Sequence, residues 1–174
     1  MNRFSLRYLQ TAALITTCVL AATLSAQPAA AYPADTTRAA MAAYLHEHPG
    51  GTPISDRDIA YGGGTFIVTV TRAQAGHALA AADCPSGWFC FYDGVNYTYP
   101  RGRLSSCGWQ DLGTWGWRNR TESVHYNMSS GTVGFLNEAG SVDTVLFTAG
   151  TTRRTIADVN PYRNQADYVS RTNC

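Results

Sequence analysis

Four cysteines that follow residue 80 constrain the fold of this chain more than any other feature. They are Cys84, Cys90, Cys107 and Cys174, while a fifth, Cys18, lies in an apolar segment near the start. An even number of cysteines in an exported protein predicts a disulfide framework, here of two bonds, and counting leaves three pairings open. Metal binding is the competing interpretation, but the sequence offers no Cys-x2-Cys pair and no histidine close to these cysteines.

The start of the chain predicts export. Arg3 and Arg7 precede an uncharged and mostly apolar run, residues 11–24, and small residues follow it, which is the pattern of a cleaved signal peptide. Cleavage is expected after Ala26 or Ala31, and the sequence does not choose between them. The run is shorter than the about 20 apolar residues of a membrane-spanning helix. We therefore expect a secreted, extracellular protein without a membrane partner after cleavage of residues 1–31.

Removal of that segment leaves a nearly neutral chain. All 13 basic residues are arginines, and without the first two of them 11 remain beside 12 acidic residues, for a net charge of −1. Nucleic acids and anionic membranes select basic surfaces. We therefore expect no nucleic-acid partner, and the sequence gives no oligomeric state.

The order of elements divides the mature chain in two. Residues 32–72 predict a small α+β region, with a helix over 35–48 and a β-hairpin over 59–71. The alanine-rich residues 73–83 are interpreted as a linker. Short strands separated by turn residues then predict a mainly β domain of sandwich or small-barrel type, residues 84–174. The strands expected in it are Trp88–Tyr92, Ser123–Tyr126, Thr132–Leu136, Thr144–Phe147 and Tyr168–Ser170.

A dense pattern begins at the first of the four cysteines. Residues 84–93 read CPSGWFCFYD, and NY at 96–97, CGWQDL at 107–112 and NRTESV at 119–124 follow. Over about residues 84–130 this pattern resembles peptidase inhibitor family I36, a group of secreted actinobacterial proteins. The resemblance implies a βγ-crystallin-like fold, in which two Greek-key motifs pack as one sandwich.

The resemblance also assigns roles to residues of the first Greek key. Tyr92 and Tyr97 would pack at the corner of a folded-over hairpin, and Gly102 would supply a positive φ there. Ser123 would form a hydrogen bond back to the hairpin backbone. The second motif matches less well, because Leu136 stands where the pattern has an aromatic residue.

The disulfide pairs implied by the resemblance are Cys84–Cys90 and Cys107–Cys174. The implied function is inhibition of an extracellular protease, a metalloproteinase in the best-understood family member, by a loop that binds without a covalent bond. We expect no enzyme, since nucleophile-elbow, phosphate-loop and zinc-protease motifs are all absent from the sequence. No reactive bond can be transferred, and the loop at 148–154 is no stronger a candidate than other loops.

Calcium is a ligand of many βγ domains. Alignment on Ser123 places Arg118, Asn119 and Glu122 at ligand positions, and the second motif offers residues 163–168. An arginine is a poor neighbour for a divalent cation, because its charge repels the ion. We therefore expect no calcium, other metal or cofactor.

The tryptophans suggest an alternative function. Trp109, Trp115 and Trp117 alternate with glycines and form a candidate binding surface, although filling of the core is the competing interpretation. In this alternative, the chain is a non-inhibitory extracellular binding or toxin-like module that recognises cell-wall glycan or a protein. A structural envelope protein is the third hypothesis.

Overall fold

Two antiparallel β-sheets and one helix make up the described part of the chain. The computed structural model describes residues 33–73, 81–140 and 142–174. The predicted signal peptide and residues 74–80 of the predicted linker lie outside the described residues. Among the described residues, no helix is long and apolar enough to span a membrane.

The helix, α1, spans Pro33–Glu47. It begins two residues before the predicted start, and a proline suits a first helical position because the amide that it lacks would have no partner there. It ends before Gly50, whose φ of 92° is readily adopted only by glycine. Met41 and Tyr44 are its buried side chains and join the core. The predicted helix is therefore present and uses one face to contact the sheets.

The larger sheet has seven strands, and neighbouring strands in it are antiparallel. Its order is β1-β2-β3-β5-β4-β7-β10. The bounds of these strands are β1 Thr52–Pro53, β2 Asp58–Tyr61, β3 Phe66–Thr69, β4 Trp88–Tyr92, β5 Arg101–Leu104, β7 Ser123–Asn127 and β10 Thr155–Ile156.

The smaller sheet has four antiparallel strands in the order β6-β11-β8-β9. The bounds of these strands are β6 Gly108–Asp111, β8 Thr132–Ala139, β9 Val142–Gly150 and β11 Tyr168–Thr172.

The β region has a first half, β4–β7, and a second half, β8–β11. Each half contributes one strand to the sheet that holds the other strands of the other half. Strands β4, β5 and β7 share the larger sheet, while β6, which lies between β5 and β7 in sequence, pairs with β11 in the smaller sheet. Strand β10 of the second half pairs with β7 in the larger sheet. The mainly β sandwich predicted from the sequence is confirmed, and the finer assignment to a crystallin-like Greek key stays a prediction.

Aromatic side chains fill the space between the sheets. The rings of Phe91 in β4 and Phe135 in β8 meet edge to face at 5.9 Å, which joins the two sheets directly. Trp117 meets Phe91 edge to face at 5.5 Å and is fully buried. Aromatic pairs in this geometry contribute beyond the area that they bury.

The N-terminal hairpin belongs to the larger sheet. Strand β2 pairs with β3 as predicted, and β3 then pairs with β5, with Val68 opposite Gly102. Phe66 of β3 stacks on Phe91 at 6.0 Å and is fully buried. All described residues fall within one compact unit, Ala31–Cys174, and the predicted boundary between 32–72 and 84–174 stays a prediction.

Candidate functional site

The four cysteines form two disulfides, Cys84–Cys90 and Cys107–Cys174. These are the pairs that the family resemblance implies. The first bond is buried beside β4, where the Cys84 amide donates a hydrogen bond to Nδ1 of His125 at 3.0 Å. Burial lowers the pKa of that histidine below its usual value, which favours the neutral, accepting imidazole. The second bond joins the residue before β6 to the last residue of the chain.

The predicted hairpin corner is assembled around a serine. Ser123 is fully buried; its Oγ donates to the carbonyl of Gly94 at 2.7 Å and accepts the amide of Tyr97 at 3.0 Å. The ring of Tyr97 meets that of Tyr92 edge to face at 5.5 Å. Asn96 and Tyr97 supply the positive φ values of the corner, 53° and 60°. The structure thus brings Tyr92, Tyr97 and Ser123 together.

Gly102 has a different role from the expected one. It lies inside β5 and its φ is not among the positive ones, so the expectation that it turns the corner is wrong. A Cβ at this position would lie 2.7 Å from a ring carbon of Phe91 and 2.9 Å from one of Phe66. The glycine is needed for close approach of the two rings to the strand.

The three tryptophans do not form one surface. Trp117 is fully buried in the core, and its place in a binding surface is therefore excluded in this structure. Trp115 is half-buried and stacks on Phe66 at 4.9 Å. Trp109 is 49% exposed and lies against Tyr168. The alternation with glycines misled the prediction, because the short 3₁₀ segment Leu112–Trp115 turns the chain inward before Trp117.

The side chains at the calcium-ligand positions considered in the sequence bind to other side chains. Arg118 is paired with Asp111, and Asn119 donates to Asp167 at 3.2 Å. Glu122 accepts a hydrogen bond from Asn164 at 2.8 Å. In the part of the chain that the structure describes, no three His, Cys, Asp or Glu side chains are grouped as metal ligands.

An exposed segment leads from β9 to β11 and is interrupted by the short strand β10. Apart from the loop at 148–154, it was not singled out as a contact from the sequence. Nearly all residues of 151–165 are exposed, while Ile156, Val159 and Ala166 are buried and hold the segment against the body. We call residues 157–165 the anchored loop. Its sequence signal was the pair of isolated apolar residues in an otherwise polar stretch.

Backbone hydrogen bonds tie the anchored loop to the first half of the β region. The amide of Asn96 donates to the carbonyl of Ala157 at 2.7 Å, and the amide of Val159 donates to the carbonyl of Glu122 at 3.0 Å. Farther along, the amide of Asn164 donates to the carbonyl of Thr121 at 3.1 Å. Both ends of the loop are therefore fixed to the turn at 95–97 and to the residues just before β7.

Side-chain contacts within the anchored loop also stabilise its shape. Arg163 forms an ion pair with Asp158, whose Oδ1 accepts from the arginine Nε at 2.7 Å. This hydrogen bond lowers the pKa of Asp158 to about 2. Gln165 donates to the carbonyl of Pro161 at 2.9 Å. The loop can therefore present Tyr162, which is 37% exposed, with little loss of freedom on binding.

A tight turn precedes the anchored loop. Gly150 and Arg153 exchange two backbone hydrogen bonds, at 3.1 and 3.2 Å. The guanidinium of Arg154 donates to the carbonyls of Tyr126 and Met128. Arg153 is thus exposed on this turn, and the next residue, Arg154, is bound to strand β7 of the larger sheet and the residue that follows it.

Comparison with known proteins finds a match to one family model. Residues 77–141 match the family model described as peptidase inhibitor family I36, which covers less than half of the chain. No curated protein and no solved structure matches the chain. The matched residues contain the hairpin corner and the first disulfide, and the anchored loop follows them.

Proposed function

We propose that this chain inhibits a protease outside the cell, with the exposed segment 151–165 as the contact, because residues 77–141 match the model of peptidase inhibitor family I36. An inhibitor of this kind needs no catalytic group of its own. It needs a segment that enters the active-site cleft of the protease and is held in shape there. The family and the disulfides are both consistent with an extracellular location.

The anchored loop supports this proposal through its rigidity. Association costs less conformational entropy when the binding segment is already ordered. Three backbone hydrogen bonds and the Asp158–Arg163 ion pair order this loop without a disulfide inside it. The loop lies outside the residues that match the family, so its role rests on geometry and not on the family.

A metalloproteinase is the first target class to test, because the sequence resemblance points to it. Binding would be non-covalent, with Tyr162 and Arg153 as the principal side-chain contacts. Tyrosine and arginine are enriched among residues that dominate binding energy at protein interfaces.

The test is an inhibition assay with the full secreted chain against a zinc metalloproteinase and a serine protease. We expect Tyr162→Ala and Arg153→Ala each to raise the inhibition constant by about tenfold or more. Ile54→Ala is the matched control, since Ile54 is 54% exposed and lies outside the segment. Inhibition by the wild type that survives both loop variants would refute the contact assignment, and absence of inhibition would refute the proposal itself.

A further inference from the structure

The outer face of the smaller sheet carries a partly exposed row of residues. Val169 and Phe135 are buried in the core, so their neighbours along β11 and β8 point away from it. Ser170 pairs with Trp109 on one side and with Gly134 on the other. Trp109, Ser170 and Gly134 therefore lie side by side on the face that is turned from the core.

The indole of Trp109 is the exposed member of this row. Its ring lies 4.9 Å from that of Tyr168, inclined by 35°, and half of the tryptophan is exposed. Beyond Ser170, Gly134 adds no side chain to the far end of the row. The atoms nearest to a Cβ built there are 3.8 Å away or farther, which is ordinary contact distance.

A fixed polar cluster lies beside the indole. Arg118 donates to both carboxylate oxygens of Asp111, at 2.8 and 3.0 Å, and to Glu138 at 2.7 Å. It also donates to the hydroxyl of Tyr168 at 2.7 Å and stacks over that ring at 4.6 Å. The tyrosine hydroxyl in turn donates to Glu138 at 3.0 Å. Two carboxylates are thus held in place by one guanidinium.

We propose that this face, centred on Trp109, Asp111 and Glu138, binds a neutral saccharide. A pyranose ring with equatorial hydroxyls presents a flat C–H face, which the electron-rich face of an indole attracts. Its hydroxyls at the rim would donate to Asp111 and Glu138, and hydrogen bonds to ionised acceptors are the stronger ones. Because Arg118 already orders both acceptors, little freedom is lost on binding.

The charge of the cluster selects against other ligands. Two carboxylates and one arginine leave a net charge of −1, which repels phosphates and other anions. The guanidinium already binds both oxygens of Asp111 and one of Glu138, so a divalent cation would have to displace it. An uncharged polyhydroxyl ligand meets neither obstacle, and its binding here does not depend on protease inhibition.

The test is a titration of the ¹⁵N-labelled secreted chain with soluble cellotetraose, chitotetraose and maltotetraose, followed by NMR. We expect the indole N–H resonance of Trp109, assigned by its loss in Trp109→Ala, to shift with at least one of them. Trp109→Ala is expected to weaken binding at least tenfold, whereas Trp109→Phe retains part of it because a ring remains. Tyr162→Ala is the matched control, an exposed aromatic residue outside this face, and should bind like the wild type.

Several outcomes would overturn the saccharide site. No shift at about 10 mM of all three sugars would do so, since a Kd in the millimolar range would be visible there. Equal binding by Trp109→Ala would do so as well. If Trp109→Ala bound no sugar differently but weakened protease inhibition, the face would be a protein contact, while the inhibitory function would stand.

Discussion

The guanidinium of Arg120 lies 2.9 Å from Nε2 of His48. Arginine can only donate, so this nitrogen must be the unprotonated, accepting one. Arg120 also pairs with Asp93 and donates to the hydroxyl of Tyr44. One arginine therefore connects the C-terminal end of α1 to the first half of the β region, provided that His48 is neutral.

The first prediction is that acid weakens this connection. Burial, followed by the charge of Arg120, lowers the pKa of His48, while the carboxylates of Glu47 and Asp93 act in the opposite direction. The unfolded chain therefore takes up the proton first. The stabilising effect of neutral His48 is complete above about pH 6.5 and is lost as the pH falls below that unfolded value toward the lower folded one.

Urea unfolding between pH 8 and pH 5 measures this effect in wild type and His48→Gln. Glutamine keeps an acceptor near the position of Nε2 and does not titrate, so the variant should lose less stability on acidification. His125, whose pKa is also lowered by burial, is present in both proteins and cancels in the comparison. Parallel pH profiles would show that His48 does not titrate in this way.

The second prediction concerns the serine of the hairpin corner. Ser123→Ala leaves the carbonyl of Gly94 and the amide of Tyr97 without their buried partner, which we expect to cost about 1–3 kcal/mol in the free energy of unfolding. The exposed Ser130, whose hydroxyl makes one bond of 3.5 Å, is the control, and Ser130→Ala should change stability by less than about 0.5 kcal/mol. Similar losses in both variants would argue against a structural role for Ser123.

The third prediction separates two glycines of the sheets. Gly102→Ala forces a methyl against the rings of Phe91 and Phe66 and should destabilise the protein by about 1–3 kcal/mol through overpacking. Gly134→Ala meets only ordinary contacts, at 3.8 Å and beyond, and should be far milder. Denaturant unfolding of the two variants decides the matter, and an equal effect would contradict the close approach at Gly102.

The fourth prediction concerns the long disulfide. Cys107 and Cys174 are both exposed and lie 67 residues apart in sequence, so replacing them by alanine removes little packing but releases a long loop in the unfolded chain. The chain-entropy model gives a loss of about 4 kcal/mol. The single variant Cys174→Ala should lose nearly the same amount, because it breaks the same bond. A loss below about 1 kcal/mol in the double variant would be inconsistent with this account.

Local patterns predicted most of the strands, and they failed where tertiary contacts decide. The continuous apolar run of β4 and the alternating apolar residues of β7 are visible in the sequence. Strands β5 and β6 contain Arg101 and Trp109 among glycines, and they become strands because β3, β4 and β11 offer them backbone partners. Such pairing leaves no periodic pattern in a short segment.

The candidate sites show the same limit. Composition suggested a cluster of tryptophans, yet burial separates Trp117 from Trp109 because one fills the gap between the sheets and the other lies outside. The contacts of the anchored loop could not be predicted, because its partners, Asn96 and Glu122, are distant from it in sequence. Only the fold brings these segments together.

The pairing of β3 with β5 has a consequence for any processing of the chain. Cleavage that released the residues before Cys84 would remove a strand from the side of β5 and withdraw Phe66 from its place between Phe91 and Trp115. The truncated product would expose unpaired backbone groups along β5 and the aromatic rings that Phe66 covered. Exposed strand edges of this kind pair with the edges of other chains. By covering the edge of β5, the N-terminal hairpin thus disfavours self-association of the protein.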